Sequence, residues 1–255
     1  MGAKIELIVI DGGSRDRTMQ VATGHGATVA TIAPAAFTFG GALNLGAHRA
    51  HGELLVALSA HAFPLDDGWL ARLLAAFADP RVACACGDRY DPDGRRLGSP
   101  VAQDAALAQR RPEWGYSNAA GAFRADLWRQ RPFRTDLPGC EDKEWGRFWA
   151  VERNRVTVLD PGLAVEHDHT HDPVPDIFMR ARREAEGFAM FLPPDQRSSL
   201  LSEWYWQTGF YNSVWKARFS HRRAARLLGD RLGAAAGVIR VASDQRELVS
   251  AGARR

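Results

Sequence analysis

The sequence predicts an α/β domain on a mainly parallel sheet, followed by a helical extension. Three observations predict it. Short β-branched runs alternate with amphipathic stretches of helix length from Ile5 to Leu159. Glycine, Asp, Ser or Pro punctuates almost every run. The composition, 45% hydrophobic and 25% charged over 255 residues, suits a chain that buries a sizeable core, which excludes disordered and collagen-like classes.

Ile5-Glu-Leu-Ile-Val-Ile10 reads as the first strand, and Asp11-Gly-Gly-Ser14 as its turn into a helix over Arg15 to Gly24. Ala27–Ile32 is a second strand. Gly40 to Ala50 is a helix closed by His51-Gly52. Glu53–Leu58 is a third strand ending in the loop Ser59-Ala-His-Ala-Phe-Pro64, and Trp69 to Phe77 is an amphipathic helix stopped at Asp79-Pro80. Val82–Cys86 is a small buried strand. Asp88 to Pro112 is polar and rich in Gly and Pro, which predicts a long surface loop. Order resumes at Asn118–Arg129, then a helix over Glu141 to Val151 and a last core strand, Arg155–Leu159. Residues 1–175 form the predicted core domain. Residues 176–255 form a helical extension in which Trp204, Tyr205, Tyr211 and Trp215 fall at helix-compatible spacings.

The net charge of +3 conceals an asymmetry. Residues 196–255 carry 11 Lys and Arg against 4 Asp and Glu, whereas the first 195 carry 22 against 26. A basic, aromatic tail fits a phosphate-rich partner or a membrane surface rather than nucleic acid; a solvated Arg-rich face is the plainer account. No apolar run reaches the roughly 18 residues of a membrane span, and Lys4 onward does not read as a signal peptide. Three cysteines, Cys84, Cys86 and Cys140, make no disulfide framework, so the expected location is a reduced cytoplasm, with contact at the inner membrane face through the tail.

Four clusters carry chemistry. Asp11 sits at a strand end beside glycines that admit a ligand to the backbone; a capped helix entry is the plainer account. His61 follows the third strand at its carboxyl end, where ligands bind in open sheets, and can ligate a cation, meet a diphosphate or cap its loop. Glu141 and Asp142 open a helix, where a carboxylate either caps or accepts a proton from a substrate hydroxyl. His167, His169 and His171 alternate, so on a strand all three would share one face. Arg180 and Arg183 follow on a helix and suit phosphate oxygens.

In this order the landmarks resemble the family 2 glycosyltransferases of the GT-A fold, especially their bacterial rhamnosyltransferase-like branch. The resemblance runs from Glu6 to about Phe191. It rests on Ile8-Val-Ile-Asp-Gly-Gly-Ser-Arg-Asp-Arg-Thr18, Phe39-Gly-Gly-Ala-Leu-Asn44 through Ala50-His-Gly-Glu53, Leu58-Ser-Ala-His-Ala-Phe-Pro64, Ser117-Asn-Ala119 leading to Glu141-Asp142, and Val165-Glu-His-Asp-His169. It implies a GT-A three-layer sandwich and inverting transfer of a sugar from a nucleoside diphosphate donor to a hydroxyl of a glycan, lipid-linked or small-molecule acceptor. It further implies Asp142 as general base with Glu141 placing the acceptor, and a nucleotide-sugar site drawn from Asp11, Ser14, Asn44, His61, Arg180 and Arg183. A divalent cation, Mn or Mg, is expected at His61 and His169. Two departures stand out. The family's first strand is missing before Lys4, and Ser59-Ala-His61 replaces the usual Asp-x-Asp, which weakens magnesium binding because magnesium prefers oxygen ligands. Two other readings stay open: a degenerate, non-catalytic sugar-nucleotide-binding or partner protein, and a His-cluster metal hydrolase.

Overall fold

The computed structural model describes residues 4–169, 171–197 and 221–252, so the aromatic positions read between Trp204 and Trp215 lie outside the described residues. The chain divides into two compact units, Met1–Asp136 with Glu141–Asp168, and Leu137–Cys140 with His169–Arg255.

In the first unit, β1 (Ile8–Asp11) and β2 (Thr28–Thr31) pair in parallel across α1 (Thr18–Gly24). Helix α2 (Phe39–Arg49), capped by the Thr38 hydroxyl on the Gly41 amide at 3.0 Å, leads to β3 (Leu54–Leu58). A two-residue strand β4 (Phe63–Pro64), helix α3 (Trp69–Ala75) and β5 (Val82–Gly87) follow. The expected loop after Asp88 holds two further elements, β6 (Val101–Gln103) and α4 (Ala105–Arg110), the helix capped by Asp104. Strand β7 (Ala120–Arg124), helices α5 (Ala125–Gln130) and α6 (Glu141–Arg153), β8 (Val156–Asp160) and the short β9 (Val165–Glu166) complete the unit.

The main sheet has the order β3-β7-β5-β8-β6. It is mixed rather than mainly parallel: β5 and β8 run together, but β7 enters antiparallel between β3 and β5, and β6 lies antiparallel on β8. Strand β6 lies within the long polar segment, and the connections on either side of it are irregular chain and the six-residue α4 rather than a full helical crossover, so nothing obliges β6 or β7 to run parallel.

Side-chain alternation puts a core on each face of this sheet. Leu55, Cys84, Cys86, Phe123 and Leu159 point to one side, where Trp128, Phe133, Trp145 and Trp149 pack on them. Leu54, Ala85, Ala120, Ala122 and Val156 point to the other, under Trp69, Leu73 and Phe77. The sheet between two helical layers is the predicted three-layer sandwich.

One gap interrupts it. Among the described residues β1 is paired with β2 alone and β3 with β7 alone, so each has an edge without a hydrogen-bonded neighbour there. Apolar side chains beside both edges stay wet: Leu7 is 50% exposed, Val56 41% and Leu58 51%. Helix α2 nevertheless bridges the two sheets, with Gly46 against Ile10 and Ala47 in the same core as Leu55. Glu6, just ahead of β1, accepts from the His51 amide at 2.6 Å, just ahead of β3.

The second unit is a helix pair, α7 (Val174–Phe191) and α8 (His221–Gly252). Gly229, Gly233 and Gly237 recur on one face of α8 and lie against the α7 backbone; a β-carbon on Gly233 would meet the Arg182 carbonyl at 2.0 Å. Ala185 and Ala189 of α7 complete this small-residue seam, where the helices close on short side chains. Asp230 is buried in the unit at 6% exposure, and desolvation raises its carboxyl from 3.8 to about 6 against the pull of Arg226. A raised acid favours the folded state fully below pH 3.8 and loses that contribution as pH rises through about 6. Asp230→Asn is therefore expected to stabilise the protein at pH 7.5 by about 1–2 kcal/mol and to do little at pH 4. Paired thermal melts at the two pH values check this; equal shifts at both would contradict it.

Candidate active site

The site lies where β5 ends and β7 begins. A cavity of about 310 Å³ is lined by Gly87, Asp88 and Tyr90 after β5, by Ser117 and Ala119 before β7, and by His167 after β9. This is the carboxyl end of β5, as expected for a ligand site in a sheet of this kind.

Behind the Ser117–Ala119 wall stand the two carboxyls that open α6. Glu141 is 3% exposed and Asp142 8%. The Asn118 amide N–H donates to Asp142 Oδ2 at 3.0 Å, and its side-chain Nδ2 donates to Glu141 Oε1 at 2.7 Å. The turn into α6 uses a left-handed Cys140, φ 63°. A third acid of this turn, Glu144, is bridged by Arg131 at 2.5 Å, and Arg131 in turn lies 4.0 Å above the Phe148 ring. Among the described residues neither Glu141 nor Asp142 is ion-paired in this way. Burial, with the Asp142 charge alongside, pushes Glu141 from 4.5 to about 7. Glu141 therefore gives up its proton around neutral pH rather than well below it.

On the far wall His167 stacks on His61, ring centroids 4.3 Å apart, and Ser59 Oγ sits 3.1 Å from His61 Nδ1. Strand β9 ends at Glu166, so the predicted alternation of three histidines on a strand face is corrected: His167 follows the strand in irregular backbone, and His171 is exposed. The nearest ring nitrogens of His61 and His167 lie within 4.8 Å of each other, a spacing one cation can bridge. Two imidazoles without a carboxylate fit manganese or a softer ion better than magnesium.

The other sequence candidates have partners of their own. Asp11 is buried at the end of β1. Its carboxylate accepts the Gly13 amide at 2.9 Å and the Ser14 amide at 3.1 Å, and the Ser14 hydroxyl and these amides hold it below its ordinary range. Asn44 has a fastening role: Oδ1 accepts from Trp128 Nε1 and the Phe133 amide, both at 2.9 Å, and Nδ2 donates to the Phe133 carbonyl at 2.8 Å. His169, Arg180 and Arg183 belong to the second unit. There Asp172 Oδ2 takes both His169 Nδ1 at 3.0 Å and Arg180 at 2.9 Å, while Arg222 donates to the Asp172 and His169 carbonyls. Asn118 enters the sequence reading only within Ser117-Asn-Ala119, the segment that the resemblance sets ahead of Glu141-Asp142, with no role of its own, and Tyr90 does not enter it.

The glycosyl transferase family 2 model matches residues 2–139, more than half of the chain. The chain belongs to that family. Solved structures of similar fold include the mannosyltransferase PcManGT from Pyrobaculum calidifontis in complex with GDP-Man and Mn2+, 17% identical with a TM-score of 0.52 over 98% of this chain and 70% of that one. S. aureus TarS 1-349 is 15% identical, TM-score 0.52, over 90% and 71%. Glucosyl-3-phosphoglycerate synthase from Mycobacterium tuberculosis, in complex with phosphoglyceric acid, is 18% identical, TM-score 0.50, over 72% and 66%. These likenesses establish the GT-A glycosyltransferase fold. No curated protein matches the chain in sequence. No helix among the described residues is long and apolar enough to cross a membrane.

Proposed function

We propose that this family 2 member is an inverting glycosyltransferase that moves a sugar from a nucleoside diphosphate to an acceptor hydroxyl in the cavity between Ser117–Ala119 and His167. The observation that carries the reading is the buried, unpaired-by-base carboxyl couple Glu141–Asp142 fixed directly behind that wall. In the proposed step Asp142 takes the acceptor's hydroxyl proton as the oxygen bonds to the anomeric carbon. The bond from that carbon to the diphosphate oxygen breaks, and the nucleoside diphosphate leaves with the electron pair. Glu141, holding its proton near neutrality, donates to and orients the acceptor.

His61 and His167 are the proposed ligands of a divalent cation, and His169 remains the sequence's candidate beside them; a bound cation supplies neutralisation of the leaving diphosphate. Asp11 and Ser14 are proposed for the nucleotide, as are Arg180 and Arg183 for its phosphates. Asn44 is proposed at most to shape that side of the site through α2. The relatives' GDP-Man and UDP complexes support a purine or uracil nucleotide sugar as donor, and the rhamnosyltransferase-like motifs support a deoxyhexose. The acceptor is proposed to be a glycan, a phosphorylated small molecule or a lipid-linked sugar, the last met at a membrane surface through residues 196–255. Cytoplasmic nucleotide sugars fit this reading.

The two open edges favour one alternative, a sugar-nucleotide-binding protein without turnover. Melting the protein with UDP-glucose, GDP-mannose and dTDP-rhamnose, with and without Mn2+, and assaying release of the nucleoside diphosphate separates the two. A cation-dependent melting shift of several degrees for one donor, together with its turnover, is expected. A shift without turnover supports the binding protein; unchanged turnover in excess chelator removes the cation from the proposal.

A further inference from the structure

Resting on the assignment of Asp142 as base, we propose that Asn118 is a positioning residue that gives the two carboxyls different tasks, holding Glu141 by its side chain so that Asp142 alone receives the proton. The hydrogen bonds divide unequally. Asp142 accepts two backbone amides, Asn118 at Oδ2 and Lys143 at Oδ1 (2.7 Å), which no side-chain change removes. Glu141 is tied by the Asn118 side-chain amide, on Oε1. An amide nitrogen only donates, so Oε1 must accept and any proton on Glu141 sits on Oε2. One residue thereby fixes both the rotamer of Glu141 and the oxygen that carries its proton.

The position of Asn118 is itself over-determined. The Ser117 amide donates to Cys86 Sγ at 3.3 Å, and the Ala119 carbonyl accepts the Ser59 amide at 2.8 Å. Three consecutive residues thus join β5, the loop that carries His61, and the acid couple. Ser117 and Ala119 line the cavity, while Asn118 between them reaches back to the carboxyls. A displacement of this tripeptide moves the base and the His61 loop together, so the amide sets their spacing.

The groups facing the couple do not offer a substitute. Tyr116 is fully buried and its phenol is pushed well up by desolvation; the thiols Cys84 and Cys86 on β5 are likewise raised by burial and stay neutral. Lys143 spends its ammonium on the Gly115 carbonyl at 2.8 Å. Asn118 is thus the side-chain donor bonded to Glu141 among the described residues, and it opposes the burial that raises this acid.

The test is a carboxyl 13C NMR titration of the full chain, with Glu141→Gln identifying the signal. Removing the amide in Asn118→Ala is expected to raise the Glu141 midpoint by about half a pH unit or more. Asn118→Asp keeps the shape, adds a third acid and is expected to raise it further. With the sugar nucleotide that turns over among UDP-glucose, GDP-mannose and dTDP-rhamnose, both variants are expected to lose about 10- to 100-fold in kcat with KM little changed. A purely structural Asn118 would lower the melting temperature and leave the midpoint where it was. That outcome, in both variants, overturns the proposal while the base assignment stands. Retained turnover in Asp142→Asn removes the base assignment and this inference with it.

Discussion

Asp142→Asn is expected to reduce sugar transfer by about 10²–10⁴-fold, almost entirely in kcat, while making the protein more stable at alkaline pH. The two halves have one cause. Asp142 and Glu141 are adjacent, both under 10% exposed, and the charge on the first opposes ionisation of the second. Glu141, lifted to about 7, favours folding fully below pH 4.5 and gives up that contribution as pH rises through about 7. Neutralising Asp142 removes the second-ranked cause of that lift, so less is lost at high pH. A gain of about 1 kcal/mol at pH 8.5, some 2–4 °C in melting temperature, is expected, with no gain at pH 5. The amide keeps one accepting oxygen for the Asn118 or the Lys143 N–H and sets its NH2 against the other, a local cost that is the same at both pH values and leaves the pH-dependent difference to report the charge. Donor binding, measured as the melting shift with the turned-over sugar nucleotide, should be unchanged. Transfer that survives the substitution removes Asp142 as base; lost transfer without the alkaline gain means the couple is not electrostatically linked.

The wall that holds this base was only partly legible in the sequence, and the reasons are physical. Strands β3, β5 and β8 announced themselves because each alternates toward two apolar faces, and α2 and α3 because their apolar positions recur on one side. Strand β6 did not: it is three residues long and buries a glutamine, Gln103, which donates from its amide to the Trp114 carbonyl. No periodicity is visible in three residues. The reversed direction of β7 is likewise absent from its local pattern, since Ala-Gly-Ala-Phe-Arg would alternate the same way in either orientation.

Single side chains divide similarly. The acids at 141 and 142 could be read from the helix start that they open, but the left-handed Cys140 that aims this start could not, because cysteine carries no preference for positive φ. The alternation of His167, His169 and His171 suggested one strand face, but the strand stops at Glu166, so spacing alone could not say which of them stacks on His61. Asn44 entered the candidate site through the resemblance alone; its partners in the fold are Trp128 and Phe133, which no local pattern announces. Local sequence states that a polar group needs satisfying, whereas only the fold states by whom.

The open edges give the second large effect. Appending a β-branched strand and a crossover helix ahead of Lys4 is expected to raise the melting temperature by about 10–20 °C, through pairing of the added strand with the free edges of β1 and β3 into one sheet of eight. The crossover helix is needed because a strand inserted parallel to β1 must be joined to it by a dozen residues or more. The strand would cover Leu7, Val56 and Leu58 from the side that is now wet. Three half-exposed apolar side chains at about 1 kcal/mol each, with a few newly paired backbone groups of similar individual worth, come to about 5 kcal/mol. At about 2–4 °C per kcal/mol for a chain of this size, that is the stated shift. Hydrogen exchange locates it: the amides of Ile8–Asp11 and Leu54–Leu58 that face the gap should exchange within the mixing time in the 255-residue chain and become protected in the extended one. An extension carrying a proline in mid-strand cannot complete the ladder and serves as the control. Without the extension, Val56→Lys should be tolerated within about 0.5 kcal/mol, since an edge residue 41% exposed keeps its ammonium in water, whereas Leu55→Lys should unfold the sheet. In the extended chain Val56→Lys should become as damaging as Leu55→Lys. If both extensions melt alike and Val56→Lys stays harmless in each, β1 and β3 do not flank a strand-wide slot, and the wet apolar side chains are an ordinary sheet rim that the fold tolerates.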